Sequence, residues 1–381
     1  MESPDRPKRV MIIAGEASGD AHAALLASAM SGLAPGTLFY GIGGPMMERA
    51  GVRVLYPQNR LSVVGFTEVA EKLGDLSEAF FLVREVLSLA RPDLLVCVDF
   101  PDFNFMAAKA AKKRGIKVLY YISPQVWAWR TGRVKKIKRL VDHMAVILPF
   151  EKEFYEKSGV PVTFVGHPLL DQEERIPVNS PKGGFLIALA PGSRDGEIVR
   201  HLPIMLRASA IIKKSRPEAR FVVPGAPGVE PSFIEGIIRS VRSENASIPE
   251  IQVWPGGMER VFREASAAVM VSGTVTLEAA LSGLPHIIIY RLSPFTYRLG
   301  RILIKVPFIG LSNLIAGVAA APELIQDDAS PENIAGHILD MTETPEALEK
   351  ARALLAQVRG MLGGAGACVR TAKLALSLLD S

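Results

Sequence analysis

Cysteine is scarce in this chain of 381 residues: Cys97 and Cys368 are the only two, and aromatic side chains make up just 7%. Two cysteines so far apart form neither a disulfide framework nor a metal knuckle, and a reducing cytoplasm suits them best. The six histidines are scattered. With no H-E-x-x-H, no closely spaced Asp pair that looks like a metal site and no Cys and His cluster, the sequence calls for no metal and no cofactor. A G-x-x-x-x-G-K-[ST] loop, a G-x-S-x-G elbow and the dinucleotide G-x-G-x-x-G are also missing, which argues against P-loop, hydrolase and nicotinamide readings. Long apolar runs are lacking as well. The least polar stretch, 306–322, is interrupted by Pro307, Gly310, Ser312, Asn313 and Gly317, a poor membrane span. Near the start, Arg6, Lys8 and Arg9 precede an apolar run that Gly15 and Glu16 break at once, too short for a signal peptide.

What is present is length enough for two domains, and 44 Lys and Arg against 39 Asp and Glu, a formal charge of +5. That balance leaves nucleic acid, nucleotide and acidic lipid open as anionic partners. The most informative stretch is 94–104. Five apolar residues end abruptly at Asp99, Phe100 and Pro101, the pattern of a buried parallel strand with a carboxylate at its C-terminal end. In open α/β sheets ligands bind at that edge, so Asp99 is either a base facing a substrate or the cap of the following helix.

Around it the chain alternates. Strands are expected at 10–14, 38–42, 94–98, 117–122, 144–148 and 163–165, with helices between them. The first strand runs into Gly15-Glu16-Ala17-Ser18-Gly19-Asp20, either a ligand loop or a tight turn. Polar residues with Pro177 and Pro181 mark a domain boundary near 171. Beyond it, strands are expected at 185–189, 221–223, 251–254, 268–271 and 286–289, and the first four run into small residues, as in Ser193-Arg194, Gly256-Gly257 and Ser272-Gly273-Thr274. Ser272, Gly273 and Thr274 open a helix, so a diphosphate there would meet backbone amides, hydroxyls and the positive helix end. Glu278, one turn on from Thr274, lies where a carboxylate can bind ribose hydroxyls, or is an ordinary helix carboxylate. Arg194 is a fixed cation suited to phosphate.

These expectations describe an α/β protein of two Rossmann-like, doubly wound domains facing a cleft. Domains are expected at 1–170 and 171–345, with C-terminal helices at 346–381 packing back on the first. In the same order along the chain, Gly15-Glu16-Ala17-Ser18-Gly19-Asp20, Gly43-Gly44-Pro45-Met46, Asp99-Phe100-Pro101-Asp102-Phe103-Asn104, Ser123-Pro124-Gln125-Val126-Trp127-Ala128-Trp129-Arg130, Leu148-Pro149-Phe150-Glu151, Pro191-Gly192-Ser193-Arg194, Ser272-Gly273-Thr274 and Ser312-Asn313-Leu314 resemble the lipid A disaccharide synthase family of GT-B glycosyltransferases.

The resemblance implies an inverting hexosyl transfer from UDP-2,3-diacylglucosamine to 2,3-diacylglucosamine 1-phosphate, giving lipid A disaccharide 1-phosphate and UDP. It implies Asp99 as general base. It also implies Ser193, Arg194, Gly257, Ser272, Gly273, Thr274, Glu278 and Asn313 around the UDP, and Glu16, Ser18 and Gly19 on the acceptor side. A homodimer is plausible, and nucleic acid is no longer an expected partner. Trp127, Trp129, Arg130, Arg133, Lys136, Arg139, Arg298 and Arg301 then suit a peripheral position on the anionic inner face of the inner membrane. Surplus apolar side chains at 63–66 and at Phe81 suit acyl chains. The alternatives are another GT-B nucleotide-sugar transferase or epimerase acting on non-acylated sugars, and a noncatalytic lipid or nucleotide binding module.

Overall fold

The computed structural model describes residues 6–61, 73–129, 131–181, 184–226, 228–293, 297 and 306–380, with the side chains of 129, 131 and 172–175 left out. The chain forms two compact units, one of Met1–Asp171 with Leu362–Ser381 and one of Gln172–Met361.

The first unit is built on seven parallel strands, β1 (Arg9–Ala14), β2 (Leu38–Gly43), β3 (Arg53–Pro57), β4 (Leu94–Val98), β5 (Lys117–Tyr121), β6 (His143–Val146) and β7 (Val162–Phe164), in the order β3-β2-β1-β4-β5-β6-β7. Beyond their first residues the inner strands are apolar because helices cover both faces of the sheet. Val10, Ile12, Leu94 and Val96 face one core, while Met11, Ile13, Leu95 and Cys97 face the other. Helices α1 (Ala17–Leu33), α2 (Pro45–Arg49), α3 (Leu73–Leu89), α4 (Pro101–Lys112), α5 (Val126–Trp129), α6 (Val134–Leu140) and α7 (Pro149–Glu156) complete this part of the unit.

The second unit repeats the plan with six strands. These are β8 (Leu186–Ala190), β9 (Arg220–Pro224), β10 (Ile251–Trp254), β11 (Ala267–Val271), β12 (His286–Tyr290) and β13 (Glu323–Ile325), in the order β10-β9-β8-β11-β12-β13. Between and after them lie α8 (Asp195–Ser215), α9 (Pro231–Glu244), α10 (Glu259–Glu264), α11 (Thr274–Ser282), α12 (Leu311–Ala316), α13 (Pro331–Thr342) and α14 (Pro345–Met361). Strand order reverses beside the first strand of each unit, at β1/β4 and at β8/β11. Neighbouring crossovers there go to opposite faces, which leaves a crevice at the carboxyl ends of the strands.

The return to the first unit starts at Leu362, later than the expected 346. Helix α14 stays with the second unit, packed on α11, α12 and α13, and buries Leu355 and Val358. The last helix, α15 (Ala367–Asp380), packs on α1, where Ala372 and Ala375 share a core with Ala23, Ala24 and Ala27. Its amino end is held by Asp171, whose carboxylate accepts from the amides of Gly366 (2.6 Å), Ala367 (3.0 Å) and Cys368 (2.8 Å). Arg370 Nε donates to the Val165 carbonyl at 2.7 Å. Two strands escaped the sequence pattern, β3 and β13. Both lie at sheet edges and are only partly buried, so their apolar alternation is weak.

Candidate functional site

In the first unit, the β1/β4 register pairs Ala14 with Val98 and so brings Gly15 and Asp99 together at the crevice. Asp99 and Phe100 both have left-handed backbone, with φ of 45° and 47°. That is costly for non-glycine residues, and more so for Phe100, because a residue before proline prefers extended backbone. A Cβ on Gly15 would come within 2.3–2.5 Å of three Phe100 ring carbons, so the glycine makes room for that ring. Phe100 also packs against Phe103 at 5.6 Å between ring centres.

Asp99 is partly buried, and desolvation, then the negative charge of Glu16, pushes its carboxyl up to about 6. A carboxylate so poised takes a proton near neutrality better than an ordinary aspartate does. Glu16 and Ser18 are exposed at the start of α1, whereas Gly19 is buried and packs on Ala14. Gly19 thus serves helix packing. Asp20 is buried too, its carboxylate accepting from the amides of Gly44 (2.7 Å), Met46 (3.0 Å) and Met47 (3.1 Å). This explains the bare Gly43-Gly44-Pro45 run, since a Cβ on Gly44 would meet Asp20 and Gln58 at 2.7 Å.

In the second unit, Ser193, Arg194, Gly257, Ser272, Gly273, Thr274 and Glu278 line one cavity of about 570 Å³ at the β8/β11 crevice. The amino end of α11 opens on it, presenting the first-turn amides of Thr274 and Val275. Gly256 and Gly257 have φ of 94° and 77°, the left-handed turn that follows β10. Ser272 Oγ donates to the Ile309 carbonyl at 2.9 Å, fixing that loop. The Arg194 side chain is 74% exposed and 3.3 Å from Glu197, and Glu197 Oε2 accepts from the Ser193 amide at 3.1 Å. Burial raises the Glu278 carboxyl above its usual range. Pro224, Gly225, Ala226 and Met258 complete the wall. Proline and glycine after β9 were the sequence signal for that wall, while nothing local marked Met258 or Glu197.

Asn313 requires a correction, because it is fully buried and does not line the cavity. Its amide nitrogen donates to Ala321 (2.7 Å) and Glu323 (2.8 Å), and its oxygen accepts from the Ala321 amide at 2.9 Å. Glu323 in turn accepts from the amides of Ile309 and Gly310, so Asn313 shapes the loop that Ser272 touches.

Trp127 requires another. Rather than facing a surface it is 8% exposed, with its indole donating to the fully buried Glu151 at 2.9 Å. Burial pushes the Glu151 carboxyl up to about 7. The expected surface cations are divided: Arg133 pairs with Asp102 at 2.9 Å, Lys136 lies 5.0 Å from the Phe105 ring centre, and Arg139 is exposed. Phe81 is 65% exposed on α3. Arg130, Arg298, Arg301, residues 63–66 and the Trp129 side chain lie outside the described residues. No helix among the described residues is long and apolar enough to cross a membrane.

Residues 10–376 match the family model described as lipid-A-disaccharide synthetase. A lipid-A-disaccharide synthase of Geobacter sulfurreducens is 45% identical over 97% of this chain and 97% of its own. Among solved structures, a UDP-GlcNAc 2-epimerase from Neisseria meningitidis bound to UDP-GlcNAc has a TM-score of 0.64 at 12% identity, covering 98% of this chain and 100% of its own. The glycotransferase of kitacinnamycin has a TM-score of 0.62 at 15% identity, covering 98% and 99%. At such identities the structural likeness carries the GT-B fold alone, which transferases and epimerases share.

Proposed function

We propose that this chain, which belongs to the lipid-A-disaccharide synthase family and is a glycosyltransferase forming the lipid A disaccharide, does so with Asp99 as base and the second unit's cavity as donor seat. The substrates on this reading are UDP-2,3-diacylglucosamine and 2,3-diacylglucosamine 1-phosphate. Family membership favours transfer over the epimerase chemistry that the same fold also supports.

Asp99 removes the proton from the acceptor's primary hydroxyl as that oxygen attacks the donor's anomeric carbon. The new C–O bond forms on the face opposite UDP, the bond to the diphosphate breaks, and its electron pair leaves with UDP, which inverts the centre. The amino end of α11, with Gly273 and Thr274, holds the diphosphate, and Arg194 meets the charge that grows on it. Glu278 takes the ribose hydroxyls. Glu16 and Ser18 lie on the acceptor side, where Glu16 also keeps the proton affinity of Asp99 high.

The observation that supports this most is the gathering of seven of the expected donor residues around one cavity, although they come from the turns after β8, β10 and β11 and from α11. Wild-type protein given both acylated sugars is expected to yield disaccharide and UDP by mass spectrometry. Asp99→Ala should bind UDP with an unchanged Kd in calorimetry and yield almost no product. Full product from that variant would sink the assignment of the base.

The protein works at the anionic inner face of the inner membrane, where its acylated substrates reside. Exposed Lys135, Arg139 and Phe81 on the first unit support this position. Flotation with vesicles containing anionic lipid should carry the wild type and lose Lys135→Glu/Arg139→Glu. Equal flotation with neutral vesicles would count against it.

A further inference from the structure

The backbone that carries Asp99 is strained and then held. Among the described residues five non-glycine residues have positive φ, and three of them, Asp99, Phe100 and Ile122, follow the adjacent strands β4 and β5. The Asp99 amide continues the sheet by donating to the Tyr121 carbonyl at 3.1 Å. Its carbonyl, turned out of the ladder by the left-handed φ, accepts two short hydrogen bonds, from Tyr120 Oη at 2.7 Å and from Asn104 Nδ2 at 2.7 Å.

Both donors are wholly buried. Asn104 Nδ2 also reaches the Val98 carbonyl at 3.3 Å, yet Asn104 Oδ1 has no partner among the described residues. A buried amide left half unsatisfied costs stability. What it gives in return is its grip on the residue bearing the carboxylate.

We infer that Tyr120 and Asn104 are positioning residues for the transfer, clamping the main-chain carbonyl of Asp99 so that its carboxylate stays aimed at the acceptor hydroxyl. The inference rests on the reading of Asp99 as base. Without the clamp the 99–100 backbone relaxes toward extended geometry, and because successive side chains of an extended chain point to opposite sides, the carboxylate swings away from its working direction. Neither donor touches substrate on this view. Each acts through the geometry of Asp99, so its loss should change turnover while leaving substrate affinity alone.

The test is a double-mutant cycle on the full chain, read as kcat and KM for both acylated sugars. Tyr120→Phe removes only the hydroxyl and keeps the ring packed on Phe105, 5.8 Å away, so the fold should survive. It should lower kcat about tenfold, the worth of one well-placed hydrogen bond, and leave both KM values within about twofold. Asn104→Ala should do the same. In an Asp99→Asn background, Tyr120→Phe should lower the residual turnover no further, because the group it positions is already gone.

Wild-type kcat in Tyr120→Phe with Asp99→Asn crippled would overturn the clamp and leave the base standing. The same would follow from an equal tenfold loss in the Asp99→Asn background, the mark of a merely structural role. Wild-type turnover in Asp99→Asn itself would overturn the base, and the clamp with it.

Discussion

The two sheet edges occupy equivalent places, each at the point where strand order reverses beside the first strand, yet they are built from opposite materials. At the β1/β4 edge the loops are tightened: two consecutive non-glycine residues are left-handed, an aromatic ring fills the space over Gly15, and a carboxyl is partly buried with its proton affinity raised. At the β8/β11 edge they are opened, with glycines turning the backbone, an exposed arginine and about 570 Å³ of empty space. The difference teaches that a single reacting group must be fixed in direction and desolvated, whereas a diphosphate is held by many amides and needs room.

The largest test of the contrast is at Asp99. Asp99→Ala should lower kcat by about 10²–10⁴, the usual worth of general-base assistance. Because the base must be ionised and its carboxyl is pushed up to about 6, wild-type kcat measured by UDP release should rise with pH up to about 6 and level off above. A flat profile from pH 5 to 8 would break the assignment.

A second test sets two glycines against each other. A methyl on Gly15 collides with the Phe100 ring, while one on Gly273 meets nothing within 4 Å. Gly15→Ala should therefore lower both the melting temperature and kcat, the latter by about tenfold or more as the Asp99 backbone shifts. Gly273→Ala should melt like the wild type in a calorimeter and raise the donor KM, since its methyl occupies ligand space. Equal melting losses in the two would erase the distinction between a glycine packed on protein and one left bare for a ligand.

Arg194→Ala follows. The side chain is largely exposed and, among the described residues, paired only with Glu197, so stability should hold. Loss of one charge-assisted contact to phosphate should lower kcat/KM for the UDP-sugar about tenfold or more in steady-state assays.

The smallest effect is thermodynamic. The folded Asp99 carboxyl binds its proton more tightly than an unfolded aspartate does, so its contribution is fully present below the unfolded value and is lost as pH rises through the folded one. Asp99→Asn removes that penalty, and asparagine tolerates left-handed backbone. The variant should melt a few degrees above wild type at pH 7, with the gap opening between about pH 4 and 6 and constant beyond. A gap independent of pH would mean the carboxylate is not strained by burial.

Legibility from sequence followed the range of the interactions. Inner strands could be read because burial on both sides makes them wholly apolar, and the sites they lead to could be read because small residues cluster after them. β3 and β13, exposed at their edges, gave no such run. Trp127 stands beside a cationic stretch like an interface residue, since its partner Glu151 lies on another helix and nothing next to Trp127 in the sequence points to it. Asn313 stands in a motif that suggests a ligand contact, although its bonds run to 321 and 323. The strain at Phe100 and the clamp on the Asp99 carbonyl are not legible in the sequence, because a left-handed φ at a phenylalanine before proline contradicts local preference and is imposed by packing.

The grip of Asp171 on the first turn of α15 has a consequence for biosynthesis. The second unit is a parenthesis within the first, so a ribosome completes it while the first still lacks the helix that covers α1. The lobe that is begun first is finished last, its alanine-lined groove left bare until α15 emerges.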